Sequence, residues 1–258
     1  ALANSDWIVR MHATKALGRI KAAGAIDPLI PLLQDKVKAV REEATVALAK
    51  IGDAALSSLL DALKHPEWLV RLHAVEALAR MRSPRAVEPL LWVLFNDTDQ
   101  AIREDVIRAL GQIGDSRATE FLVTAMNEPR LRTLAVEAMG QMRDRSTVPL
   151  LVAVLQGANR PEGLRPVAGC GDRWDEEMVT KGAAVRALGS IADDTAIPAL
   201  LKALDQTETR ADAAAALVKF GSKVIAPLLT IMTQSSDENV RFHVKDTLAQ
   251  VGWRAGRI

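Results

Sequence analysis

Apolar and small residues recur three and four positions apart along almost the whole chain. In VRMHATKALGRI (Val9–Ile20) they fall at Ala13, Ala16, Leu17 and Ile20, one face of an α-helix. The segment then returns as VREEATVALAKIG from Val40, VRLHAVEALARM from Val70, IREDVIRALGQIG from Ile102 and LRTLAVEAMGQM from Leu131. Three more copies follow, TKGAAVRALGSI from Thr180, TRADAAAALVKFG from Thr209 and VRFHVKDTLAQVG from Val240. A basic residue marks each copy, at Arg10, Arg41, Arg71, Arg103, Arg132, Lys181, Arg210 and Arg241, in steps of 31, 30, 32, 29, 49, 29 and 31.

A second apolar segment precedes every copy after the first: AIDPLIPLL, ALSSLLDAL, AVEPLLWVL, ATEFLVTAM, TVPLLVAVL, AIPALLKAL and VIAPLLTIM. Five of them carry an early proline (Pro28, Pro89, Pro149, Pro198, Pro227), where a helix has no use for the missing N–H. Short links rich in Gly, Asp, Asn and Ser join the segments. A helix pair every 30 or so residues, each able to bury its face only against its neighbours, predicts an all-α fold, an α-solenoid of about eight repeats running through residues 1–258.

The step of 49 exceeds the others by about 19 residues and places an inserted loop at residues 156–177, QGANRPEGLRPVAGCGDRWDEE. Four glycines and two prolines predict irregular backbone, and connections this long inside a repeat array are commonly functional. The loop holds Arg165, Arg173 and Trp174, residue types that dominate binding hot spots, and no repeat geometry requires them there.

Composition narrows the function classes. With 33 Lys and Arg against 32 Asp and Glu and no block of one sign, a bulk electrostatic grip on nucleic acid is not indicated. No run approaches the roughly 18 apolar residues of a membrane span. The single cysteine, Cys170, forms no internal disulfide, which fits a reducing compartment and makes cytoplasm the default location. It has no His close in sequence and sits in a flexible Gly-Cys-Gly segment, so it is expected to be dispensable.

The recurring Val-Arg-x-x-Ala-x-x-Ala-Leu-Gly pattern resembles the HEAT-repeat family, in particular the short HEAT-like repeats named after phycobilisome lyases. The resemblance implies that the second helix of each pair lines an inner surface, and that an Asp or Asn in the turn bonds an Arg one repeat away to form a ladder. Three functions are compatible with it. A non-catalytic scaffold that binds another protein is the main expectation; the alternative is a phycobilin lyase subunit or bilin-handling chaperone, which would hold an open-chain tetrapyrrole. The resemblance to the nucleic-acid-binding HEAT-like glycosylases is the weakest of the three, given the near-neutral charge. No His-Glu dipeptide is present, so the iron-binding pattern of HEAT-repeat deoxyhypusine hydroxylases is missing.

On that inner surface the position after each basic residue holds Met11, Glu42, Leu72, Glu104 and Phe242 among others. Separated apolar and acidic spots suit a protein partner better than a nucleic-acid backbone. His12, His73 and His243 share the next position and are expected to be solvated. No metal ligand set and no catalytic residue is assigned, and Trp7 and Trp68 are expected to pack at the turns. No cofactor is expected unless the lyase alternative brings a bilin.

Overall fold

The computed structural model describes residues 1–157 and 171–253, with side chains over 1–157 and 177–253. These residues are all-helical, with 15 α-helices, short 3-10 segments and no strand among them. The chain forms two compact units, Ala1–Phe121 and Leu122–Ile258.

In the first unit the repeat-bearing helices are α1 (Trp7–Arg19), α3 (Lys38–Ile51), α5 (Trp68–Met81) and α7 (Gln100–Ile113). They stack in that order, and α2 (Ile26–Leu29), α4 (Asp53–Ala62) and α6 (Val87–Asn96) each lie against the helix that follows. Helix α8 (Thr119–Ala125) carries the boundary between the units. The second unit stacks α9 (Pro129–Met142), α11 (Gly171–Ile191), α13 (Arg210–Val218) and α15 (Glu238–Gln250), with α10 (Val148–Leu155), α12 (Ile197–Ala203) and α14 (Ile225–Gln234) laid beside them. Each unit is therefore a solenoid segment of antiparallel pairs.

The physical cause is the stripe of apolar residues. In α3 the residues Val40, Ala44, Ala47 and Leu48 are fully buried, while Leu56 and Leu59 close the same core from α4. Each such leucine contributes roughly 2 kcal/mol of transfer free energy. The prolines fall in the first turns of their helices, as expected, and Asp6, Asp99 and Asp237 cap α1, α7 and α15 by accepting backbone N–H groups.

Small residues set how closely the stacked helices approach. A Cβ on Gly18 would lie 2.7 Å from the Cβ of Ala47, one on Gly140 2.7 Å from that of Ala187, and one on Gly189 2.6 Å from that of Ala216. The glycine eight positions after the basic residue thus packs on the alanine six positions after the next one. The insertion leaves this stacking intact, since Ala187 follows it and Gly140 precedes it.

Helix α11 begins at Gly171, six residues before Glu177, where the pattern places the end of the loop. At 21 residues it extends the repeat helix backwards through DRWDEE.

Candidate functional site

The arginines of the repeat are built into the architecture. Arg10 holds Asp35 through a two-point fork, Nε to Oδ2 at 2.7 Å and Nη2 to Oδ1 at 2.8 Å. Arg71 does the same with Asp97 at 2.7 and 3.1 Å, and Arg210 reaches Asp237 at 3.1 Å. In each case the acid belongs to the turn of the following repeat. The hydrogen bond from Arg10 holds the Asp35 carboxyl below its ordinary range, and Asp35 raises the guanidinium in return. Arginines engaged in this way are not offered to a phosphate backbone.

The turn residues repeat one geometry. Asn4, Asp35, His65 and Asp97 each stand six positions before the repeat arginine. Their side chains accept the N–H two residues on, at 2.8, 2.9, 3.1 and 2.9 Å. The carbonyls of Asn4, Asp35 and His65 receive Nη1 of their own repeat's arginine, at 2.8, 2.7 and 2.9 Å.

The inner-face candidates divide by exposure. In the first unit, Met11 on α1 and Leu72 on α5 are half-buried. Glu42 on α3 is exposed with Lys38 at 3.5 Å, and Glu104 on α7 lies 3.8 Å from Arg108. In the second unit Phe242 is 69% exposed and meets the His243 ring edge-on at 5.5 Å.

His12 is exposed and His243 partly so, but His73 is 6% exposed, against the expectation of a solvated position. The reason is its place on α5, packed between α3 and α7. Its Nδ1 lies 3.4 Å from Glu76. That hydrogen bond, with help from Arg80 and against desolvation, lowers the Glu76 carboxyl to about 2. Among the described residues no three His, Cys, Asp or Glu side chains converge as a metal site would require.

Arg165 and Cys170 lie outside the described residues. Arg173 and Trp174 fall within the first turns of α11, and their side chains are likewise outside the described set. Beyond them, Met178 and Val179 are 41% and 54% exposed. Lys181, the basic residue of this repeat, sits 3.5 Å from Glu177.

One surface escaped the sequence reading. Trp92, Phe95 and Phe121 are 55%, 43% and 38% exposed, and the rings of Phe95 and Phe121 lie 6.1 Å apart. Trp92 also lines a cleft of about 900 Å³ between α4 and α6, with Leu63, Pro66 and Pro89 among its apolar residues and Asp61, Lys64, His65, Arg71 and Asp97 among its polar ones. The signal was present in the spacing, because Glu88, Trp92 and Phe95 share one side of α6 and a charged residue marks that side as outward. Trp7 and Trp68, expected to pack at the turns, are 40% and 47% exposed.

Among the described residues no helix is long and apolar enough to cross a membrane. The family model for HEAT repeats matches residues 1–67, 56–132 and 173–249, and that for the PBS lyase HEAT-like repeat matches residues 131–157. Over 180 residues the chain is 30% identical to the phycocyanobilin lyase subunit alpha of Nostoc sp., an alignment covering 60% of this chain and 65% of that one. Over 103 residues it is 33% identical to the bilin biosynthesis protein RpcF of Synechococcus sp., covering 40% and 49%. The chain therefore spans less than two thirds of the length of these relatives. A crystal structure of importin beta shares the fold over 91% of this chain and 38% of that one, with a TM-score of 0.55 and 14% identity. Periodic helix pairs, an Arg–Asp ladder and model matches over most of its length have one explanation: the chain belongs to the HEAT-repeat family.

Proposed function

We propose that this protein is a bilin-handling subunit of the phycobilin lyase type, which holds an open-chain tetrapyrrole and presents it to a phycobiliprotein. The observation that carries this reading is the 30% identity over 180 residues to a phycocyanobilin lyase subunit. It takes the alternative of the sequence reading ahead of the bare scaffold, although binding another protein is part of both. A second solenoid subunit is the natural co-worker for such a chain. Within the insertion, Arg165 and Arg173 suit the propionates of a bilin and Trp174 suits its conjugated face. The inner-face residues Met11, Glu42, Leu72, Glu104 and Phe242 supply the protein contact in this reading.

The test is spectroscopic. Purified protein is mixed with phycocyanobilin, alone and with an apo-phycobiliprotein, and absorbance is followed. A shifted, sharpened visible band and co-elution with the phycobiliprotein are expected. An unchanged spectrum with no co-elution would sink the proposal. Capture of an unrelated protein together with an unchanged spectrum would restore the plain scaffold reading.

A further inference from the structure

The cleft between α4 and α6 carries four charged side chains, and two of them are committed to each other. Arg71 holds Asp97 at 2.7 and 3.1 Å and places Nη1 on the carbonyls of His65 and Pro66, both at 2.9 Å. That pair belongs to the ladder. The other two are Asp61, in the last turn of α4, and Lys64, just beyond it; both are exposed, and neither side chain has an ion pair or hydrogen bond among the described residues. The cleft therefore offers one free charge of each sign.

Uncharged polar groups line it as well. Asn96 donates from Nδ2 to the Trp92 carbonyl at 2.8 Å, which leaves its Oδ1 as an acceptor. His65 accepts the Glu67 N–H at Nδ1, 3.1 Å away, which leaves the ring hydrogen on Nε2 as a donor, and Thr98 adds a hydroxyl. Donors and acceptors mixed in this way match the N–H and C=O groups of a peptide backbone. The apolar share comes from Leu63, Pro66, Pro89 and Trp92, whose ring is 55% exposed, with Phe95 a turn further along α6. A large aromatic group left open to solvent on a concave surface is the residue type that most often anchors a partner.

We infer that the first unit docks an extended segment of a partner protein in this cleft, with an aromatic residue against Trp92, flanked by a basic residue on Asp61 and an acidic residue on Lys64. Asn96, His65 and Thr98 take its backbone groups. The two free charges select this occupant, because a polyanion would meet Asp61 as well as Lys64, and a purely apolar helix would cover both charges without pairing either. At about 900 Å³ the cleft has room for more than one side chain. The site uses none of the residues of the insertion or of the inner face, and it does not depend on the bilin reading.

Titration of the full chain with the capped pentapeptide Gly-Lys-Phe-Glu-Gly tests the inference, followed at the indole N–H resonance of Trp92, which is identified by its loss in Trp92→Ala. The resonance should shift saturably, and Ala in place of the peptide's Phe should abolish the shift. Peptides with Gln for the Lys or Gln for the Glu should each bind about threefold more weakly, the scale of exposed ion pairs. Asp61→Asn should remove the preference for Lys alone, and Lys64→Gln the preference for Glu alone. Both side chains are exposed, so neither change should move the melting temperature, which separates lost recognition from a lost fold. Equal binding of the three peptides, or a preference that survives its matching substitution, would overturn the inference. Tighter binding of a Glu-Phe-Glu peptide would show an anion site and overturn it too. Phycocyanobilin that displaces the peptide and shifts the Trp92 resonance would give the cleft to the tetrapyrrole, whereas bilin binding without any peptide response would disprove this site and leave the proposed function standing.

Discussion

Gly140 of α9 lies against Ala187 of α11, so close that a Cβ on the glycine would sit 2.7 Å from both Cα and Cβ of the alanine. The two residues are 47 positions apart, across the insertion, yet they make the same contact as Gly18 and Ala47, which are 29 apart. The insertion is therefore accommodated without disturbing the helix stack. Thr133 and Thr180 confirm the register on the same pair of helices, their hydroxyls 2.6 Å apart.

Gly140→Ala should destabilise the second unit by about 1–3 kcal/mol, because overpacking outweighs the gain of roughly 1 kcal/mol in helix propensity. Gly24→Ala, with nothing within 4 Å of the added methyl, should change stability by less than about 0.5 kcal/mol. Urea denaturation of the two variants checks the contrast, and a Gly140→Ala protein as stable as the parent would refute the close-contact argument.

Asp35→Asn should cost about 1–3 kcal/mol near neutral pH, since it removes the charge from a paired and largely buried rung. The Asp35 carboxyl is depressed below its ordinary value of 3.8 in the folded chain. Its contribution is present above that value and is lost as pH falls through the lower folded one. The stability gap between parent and variant should therefore be widest at neutral pH and close on acidification below about 3.8, measured as urea midpoints against pH.

Glu76 follows the same sign over a different window. With an ordinary value of 4.5 and a folded value of about 2, its contribution is complete above 4.5 and disappears towards pH 2. Its side chain is 39% exposed, so solvent screening keeps the effect of Glu76→Gln under about 1 kcal/mol. A cost near 3 kcal/mol would show that the His73–Glu76 pair is far more isolated from water than its exposure indicates.

Replacing residues 158–170 by a short Gly/Ser linker should leave helical content and cooperative melting unchanged, because the α9–α11 contacts do not involve them. Binding of bilin or of the phycobiliprotein should weaken, and Trp174→Ala in the full-length chain should weaken it by a separate, measurable amount. Cys170→Ser should leave folding and binding intact. Normal binding by the shortened chain would move the function to the inner helical face.

Phe242→Ala tests that face directly. At 69% exposure the ring contributes little to folding, so stability should shift by less than about 1 kcal/mol. A partner that uses it as an anchor should bind at least about tenfold more weakly, read by titration calorimetry.

The sequence alone determined the helix pairs, their period and the early prolines, because each rests on local spacing: apolar stripes and turns repeat within a few residues of one another. Spacing also placed an Asp in the turn before Arg41 and before Arg103, and the resemblance to HEAT repeats implied that such acids bond to a neighbouring arginine. Tertiary structure decided which one, joining Asp35 to Arg10 and Asp97 to Arg71 across 25 and 26 residues. It decided that His73 is buried while His12, at the same repeat position, is not, since burial depends on having a stacked helix on both sides. It also turned Trp92 outward beside a cleft and left the Nε of Arg41 buried without a hydrogen bond among the described residues. A single repeat motif cannot carry that information, because packing and pairing arise between repeats and local spacing describes only what lies within one.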